Sequence, residues 1–145
     1  MDTPDFKNNG TFHGYEIFPK LLPFDTFETT VGPLLHKFEN NTWVFRFVVE
    51  NKHLNPLGKL HGGMIMTFVD HSLSGAAFHS VGNKPCITIS LHIDFVASAK
   101  AGDIVDGIAE VTRKTGSLVF VAGELRVAGR VIATASGVWR MVELG

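Results

Sequence analysis

From Gly62 to about Val81 the chain carries its longest stretch of helical periodicity. Ile65, Phe68, Val69, Ser72, Leu73, Ala76 and Ala77 recur at three- and four-residue spacing, the signature of a buried helical face. Gly82-Asn83-Lys84-Pro85 ends the run, with Gly where the chain leaves the helix and Pro just beyond. Such a helix spans about 30 Å. It is apolar over more than half its circumference, so it must be covered on several sides.

The rest of the sequence supplies β-structure for that cover. Ahead of the helix, Thr42 to Glu50 is β-branched and aromatic and reads as a strand, and Asn51 to Lys59 reads as a loop. Behind it, Ile87 to Phe95 alternates strictly, which places residues 87, 89, 91, 93 and 95 on one face. Further strands are predicted at Asp103 to Arg113, Ser117 to Val127 and Arg130 to Val142. The Ala-Lys-Ala-Gly-Asp, Lys-Thr-Gly and Ala-Gly segments that separate them have tight-turn chemistry. Consecutive hairpins give an antiparallel meander, and the whole is an α+β domain in which one sheet wraps one long helix. Residues 1 to about 40 hold Pro4, Pro19, Pro23 and Pro33 among scattered Phe residues. They read as irregular chain with a short helical turn or two, and residues 1–30 are set apart as an N-terminal extension to a domain over 31–145.

Composition narrows the function classes. A length of 145 residues suits one domain, with 45% apolar and 19% charged residues. Thirteen basic residues against 14 acidic ones, with no Lys/Arg stripe, argue against a nucleic-acid partner. Cys86 is the sole cysteine, which excludes an intramolecular disulfide and a multi-Cys metal site. No His pair has metal-ligand spacing, since His71 and His79 lie two helical turns apart. The start MDTPDFKNNG lacks the basic and apolar regions of a secretory signal, and no apolar run is long enough to span a bilayer. A cytoplasmic protein without membrane contact is expected, with no metal or cofactor.

Two features of the helix point to chemistry. His61-Gly62-Gly63 opens it, and a helix N-terminus presents N–H groups that have no intrahelical partner and favour developing negative charge. Glycine lets a carbonyl approach those groups closely, which makes an oxyanion hole. The second feature is Asp70, a carboxylate where the helix has little exposed face; it can serve as base or nucleophile. About two turns, or some 10 Å, separate Asp70 from Gly62, too far for both to act on one carbonyl within a single chain. A two-fold dimer would bring the Asp of one copy to the Gly of the other.

Asn55, then His61-Gly62-Gly63, then Asp70 resembles the motif of the hotdog-fold acyl-CoA thioesterases, in particular the phenylacetic-acid-degradation type. The similarity continues through Thr88, eighteen residues after Asp70, through Phe95-x3-Ala99-x2-Gly102-Asp103, and through Gly129 to Trp139. It runs over roughly residues 30 to 142, with Ser98 standing where the family usually has Pro. The resemblance implies a hotdog fold and hydrolysis of an acyl-CoA thioester to a carboxylic acid and free coenzyme A. It implies Asp70 as catalytic carboxylate and Gly62 as oxyanion donor. His61 would shape that turn, Asn55 would hold the attacking water or the carbonyl, and Thr88 would position water or the carboxylate. Gly63 joins Gly62 on the substrate side, and Arg113, Lys114, Thr115 and Ser117 are candidates for the coenzyme A phosphates. It also implies homodimers paired into homotetramers. Two other readings compete: a hotdog hydratase or dehydratase using His61, His71 or His92, and a non-catalytic acyl-CoA-binding member of the fold.

Overall fold

The computed structural model describes residues 12–143. The predicted helix is α2 (Gly62–Ser80), and its buried residues include Ile65, Phe68, Val69, Ser72, Leu73 and Ala77. It ends where Gly82 and Asn83 take left-handed backbone angles, with φ of 69° and 63°, and the Asn83 N–H reaches the Phe78 carbonyl at 3.0 Å. The strands are β1 (Glu16–Ile17), β2 (Leu35–Glu39), β3 (Thr42–Val48), β4 (Cys86–Phe95), β5 (Ile104–Lys114), β6 (Leu118–Val127) and β7 (Arg130–Met141). A short helix, α1 (Phe27–Val31), and a 3₁₀ turn at Asn51–His53 complete the described elements. All pairings are antiparallel, in the order β1-β2-β3-β5-β6-β7-β4. The sheet curls around α2, the arrangement of a hotdog fold.

The core lies between the concave face of the sheet and α2. Phe45, Phe47, Val105, Val119, Val121, Leu125, Ile132 and Trp139 meet Phe68, Val69, Leu73 and Ala77 there, all fully or almost fully buried. Gly75 lets this packing close. A Cβ at that position would collide with the Phe45 ring and lie 3.1 Å from Phe18. Space for two rings against the helix outweighs the loss of helix propensity that a central glycine carries.

Two expectations are corrected. The first 40 residues are less irregular than their prolines imply, because β2 pairs with β3 from Leu35↔Arg46 to Glu39↔Thr42, and β1 pairs with β2. The hairpin turns on Asn40 and Asn41, with φ of 51° and 61°, the left-handed pair that a two-residue loop requires. The second correction concerns β4. Its register against β7 shifts between Thr88 and Ser90, so the strict alternation of the sequence is not kept in space. Ile87 and Ile89 face outward, each 57% exposed, whereas Leu91 and Ile93 pack against the core. Upstream of the bulge, the inward positions are Cys86 and Thr88.

Contacts from the N-terminal part fix the loop that leads into α2. His53 is buried, with Nε2 2.6 Å from the Val31 carbonyl and Nδ1 accepting from the Glu50 N–H at 2.9 Å. Lys52 Nζ donates to the Gly32 carbonyl at 2.6 Å. These bonds tie the end of α1 to the 3₁₀ turn. The His53 carbonyl in turn accepts the His61 N–H at 2.8 Å, directly ahead of the helix.

Candidate active site

Four N–H groups at the start of α2 lack intrahelical partners, and three of them are occupied. The His61 N–H goes to His53. The Gly63 N–H goes to His61 Nδ1 at 2.7 Å, and the Met64 N–H to the His61 carbonyl at 2.9 Å. The Gly62 N–H has no acceptor among the described residues. His61 therefore caps the helix and leaves a single donor, on Gly62, at its positive end. Gly63 is needed for that cap, because a Cβ there would lie 2.9 Å from His61 Nδ1. Asn55 stands in the preceding loop, where its Oδ1 accepts from the N–H groups of Leu57 (2.9 Å) and Lys59 (3.1 Å). Its amide nitrogen makes no hydrogen bond among the described residues.

Asp70 sits two helical turns further on, at the centre of a second cluster. Thr88 Oγ1 donates to Asp70 Oδ1 at 2.6 Å, across from β4, and Ser74 Oγ reaches the same oxygen at 3.3 Å. Trp139 Nε1 donates to Ser74 Oγ at 2.7 Å. A chain of donors thus runs from the buried indole through Ser74 to the carboxylate, and Thr88 closes on it from the strand. Oδ2 takes no hydrogen bond among the described residues, so one oxygen is fixed and the other is available for water or substrate. Ser74 is a residue that sequence reading missed, although it lies four positions after Asp70 on the same helical face. Trp139 is 65 residues away from Ser74 and leaves no such trace.

Asp70 and Thr88 line a cleft of about 1380 Å³ together with His71, Ser74, Phe78 and His79 from α2 and its surroundings. Phe18, Leu21 and Phe27 of the N-terminal part line it too, as do His36 and Trp43, with the Phe18 ring stacked 4.4 Å from His36 and 5.6 Å from His71. Asn55, His61, Gly62 and Gly63 are not among its lining residues. Arg113, Lys114, Thr115 and Ser117 also lie outside it, at the β5–β6 turn near the C-terminal end of α2. There Lys114 Nζ donates to the Ser80 carbonyl at 2.9 Å, and Thr115 Oγ1 accepts from the Leu118 N–H at 3.0 Å. His92 is exposed on β4, 3.4 Å from Asp94. Among the described residues no His, Cys, Asp and Glu cluster could hold a metal ion, and no helix is long and apolar enough to cross a membrane.

The cleft's histidines are neutral at ordinary pH. Burial, with a smaller contribution from His79, lowers the His36 pKa to about 4; burial, with a contribution from His36, does the same for His71. An unfolded histidine protonates near 6.5. Between pH 6.5 and about 4 the unfolded chain therefore binds protons that the folded chain refuses, and stability falls as pH falls through that window. Urea unfolding at pH 7 and pH 5 is expected to show a lower midpoint at pH 5, and His36→Phe should reduce the difference. An equal drop in the variant would remove His36 as a cause.

Similarity to known proteins accords with this geometry. A curved antiparallel sheet around one long helix defines the hotdog class of fold. Residues 57–133, just over half of the chain, match the thioesterase superfamily, and the chain belongs to that family of thioester hydrolases. A Pseudomonas aeruginosa protein named as a putative esterase is 32% identical over 94 residues, covering 64% of this chain and 70% of that protein. Human acyl-coenzyme A thioesterase 13 is 30% identical over 87 residues, covering 59% of this chain and 62% of its own length, so less than two thirds of that relative is spanned. The Escherichia coli PaaI protein from the phenylacetic acid degradation operon shares the fold. Its TM-score is 0.65 at 19% identity, over 70% of this chain and 72% of that one.

Proposed function

We propose that this protein hydrolyses acyl-CoA thioesters to a carboxylic acid and coenzyme A, with Asp70 as the carboxylate base or nucleophile and Gly62 as the oxyanion donor. The observation that carries the reading is the hydrogen-bonded carboxylate in the cleft: Thr88 and Ser74 hold Oδ1 and leave Oδ2 to act. The active site is shared between two copies. Support comes from β4, an edge strand of ten residues that pairs only with β7 among the described residues and exposes Ile87, Ile89 and Phe95, with Val96 exposed just beyond its end. Its Thr88 end adjoins Asp70, and its Phe95 end adjoins the helix start, where the Phe95 ring lies 3.4 Å from the position a Cβ on Gly62 would take. Antiparallel pairing of two β4 edges sets the Thr88 end of one against the Phe95 end of the other. Asp70 of one copy then approaches Gly62 of its partner. The homodimer pairs further into a homotetramer, and Arg113 and Ser117, whose side chains make no hydrogen bond among the described residues, receive the coenzyme A phosphates.

In this arrangement a thioester carbonyl accepts the Gly62 N–H, and the negative charge that develops on its oxygen is stabilised by that donor and the helix dipole. Asp70 either deprotonates the attacking water and passes the proton to the departing coenzyme A thiolate, or attacks directly. Direct attack expels the thiolate and forms a mixed anhydride, which water then hydrolyses to the carboxylic acid and free Asp70. Thr88 keeps the carboxylate in position. Thr88→Val, which preserves shape and removes the hydroxyl, is expected to lower kcat by roughly 10–100-fold through loss of a hydrogen bond to a charged group, with KM little changed. Steady-state kinetics with an acyl-CoA ester checks this, and an unchanged kcat removes Thr88 from the mechanism.

The deciding experiment incubates the protein with a panel of acyl-CoA esters, crotonyl-CoA included, and follows release of free thiol. Thiol release supports hydrolysis. Hydration of crotonyl-CoA without thiol release would identify a hydratase, and tight binding with neither product would identify a binding protein; either result overturns the reading.

A further inference from the structure

His53 takes no part in the chemistry above, yet it stands at the base of the loop that leads into α2. It is 4% exposed, and both ring nitrogens are paired with backbone groups. The Glu50 N–H can only donate and the Val31 carbonyl can only accept, so the ring is neutral with its proton on Nε2. Burial lowers its pKa and outweighs the Val31 bond, which raises it. The Phe47 ring meets the imidazole edge-on at 5.2 Å. One side chain thus joins the end of α1, the 3₁₀ turn and β3. An apolar side chain would fill the space beside Phe47, but it would leave the Glu50 N–H and the Val31 carbonyl without these partners.

The backbone of His53 carries this anchorage to the helix start. Residues 53–61 close as a narrow hairpin. The His61 N–H reaches the His53 carbonyl at 2.8 Å, Leu54 bridges Leu60, and the Asn55 N–H reaches the Lys59 carbonyl at 2.7 Å. His61 is held from its other side as well, since its carbonyl accepts from Met64 at 2.9 Å and Ile65 at 3.1 Å. That carbonyl and the Gly62 N–H belong to one peptide unit. In a trans peptide the two point in opposite directions, so a carbonyl turned into the helix turns the Gly62 N–H out of it. The aim of the donor is therefore set by how His61 is seated, and His53 supplies one of the two seats.

We propose that His53 is the positioning residue of the oxyanion donor: its ring locks the base of the 53–61 loop to α1 and the 3₁₀ turn, and the loop then aims the Gly62 N–H at the thioester carbonyl. The inference rests on the thioesterase reading for the role of Gly62. A misplacement of about 1 Å costs on the order of 10²-fold in rate. A donor aimed at a developing charge acts on turnover more than on ground-state binding.

The test compares the parent with His53→Phe, which keeps an aromatic ring and loses both bonds, and with His53→Gln, whose amide carries an acceptor and a donor. His53→Phe should lower kcat for acyl-CoA hydrolysis by roughly 10–100-fold. Its affinity for a non-hydrolysable S-alkyl-CoA thioether, which has no carbonyl to polarise, should stay within about twofold of the parent. His53→Gln should return kcat to within about threefold. Parent-level kcat in His53→Phe overturns the proposal, as does an equal loss in both variants or a matching loss of thioether affinity. If His53→Phe does not fold, His53→Asn decides in the same way, since it keeps an acceptor for Glu50 and loses the reach to Val31. Amide hydrogen exchange separates this inference from the thioesterase reading. Residues 61–64 should exchange about tenfold faster in His53→Phe, with the middle of α2 unchanged. If the parent releases no thiol, hydrolysis fails, while faster exchange confined to 61–64 still upholds His53 as the holder of the helix start and unchanged exchange rejects it.

Discussion

Asp70→Asn is expected to reduce kcat for acyl-CoA hydrolysis by roughly 10²–10⁴-fold, the range associated with loss of a positioned acid–base group. The substitution is nearly isosteric. Its carbonyl oxygen can still accept from Thr88 Oγ1 and Ser74 Oγ, which lie 2.6 and 3.3 Å from Oδ1 in the parent. The fold and the assembly state should therefore persist, as circular dichroism and size-exclusion chromatography would report. Lost are the negative charge and basicity of the free oxygen, and with them the ability to accept a proton from water or to attack the carbonyl. KM should change far less than kcat, because the carboxylate acts in the transition state more than in binding. Turnover at the parent rate would remove Asp70 from the chemistry and leave the carboxylate as a structural link between α2 and β4.

Trp139→Ala should have the largest effect on stability among changes near the site, about 3–5 kcal/mol. The indole is fully buried beneath α2 and is the bulkiest side chain in the core. Its removal opens a cavity between β7 and the helix, and it also deprives Ser74 Oγ of its donor. Chemical denaturation would show the loss as a lower midpoint with little change in slope. Trp139→Phe separates the two contributions: most of the core volume is kept, but the hydrogen bond to Ser74 is gone. Activity should then fall at nearly full stability. Equal activity in Trp139→Phe and the parent would show that the Trp139–Ser74 link does not help position Asp70.

Much of the fold was readable because its signals are local. The α2 periodicity, the Gly82-Asn83 exit and the turns between β5, β6 and β7 each lie within a few residues of what they determine. The hairpin at Asn40-Asn41 is also a local signal, but the prolines and scattered phenylalanines before it carry no strand periodicity of their own. Non-local features were beyond such reading. The β4 bulge has no compositional mark, because Ile87 to Phe95 would alternate equally well in a regular strand. Which residues face Asp70 depends on it. At the candidate site, Gly62, Asp70 and Thr88 could be named from motif and resemblance. The occupancy of each helix-start N–H could not, since it follows from the rotamer of His61 and from a carbonyl eight residues upstream.

The β4 bulge divides one strand into two reading frames. Upstream of it, even-numbered positions carry Thr88 to the carboxylate, while odd-numbered ones, Ile87 and Ile89, face outward. Downstream, odd-numbered Leu91 and Ile93 belong to the core. Deleting Ile89 would force a single frame on the whole strand, and either Thr88 would lose Asp70 or Leu91 and Ile93 would leave the interior. One surplus residue thus lets the same ten-residue segment serve a polar site at one end and an apolar core at the other.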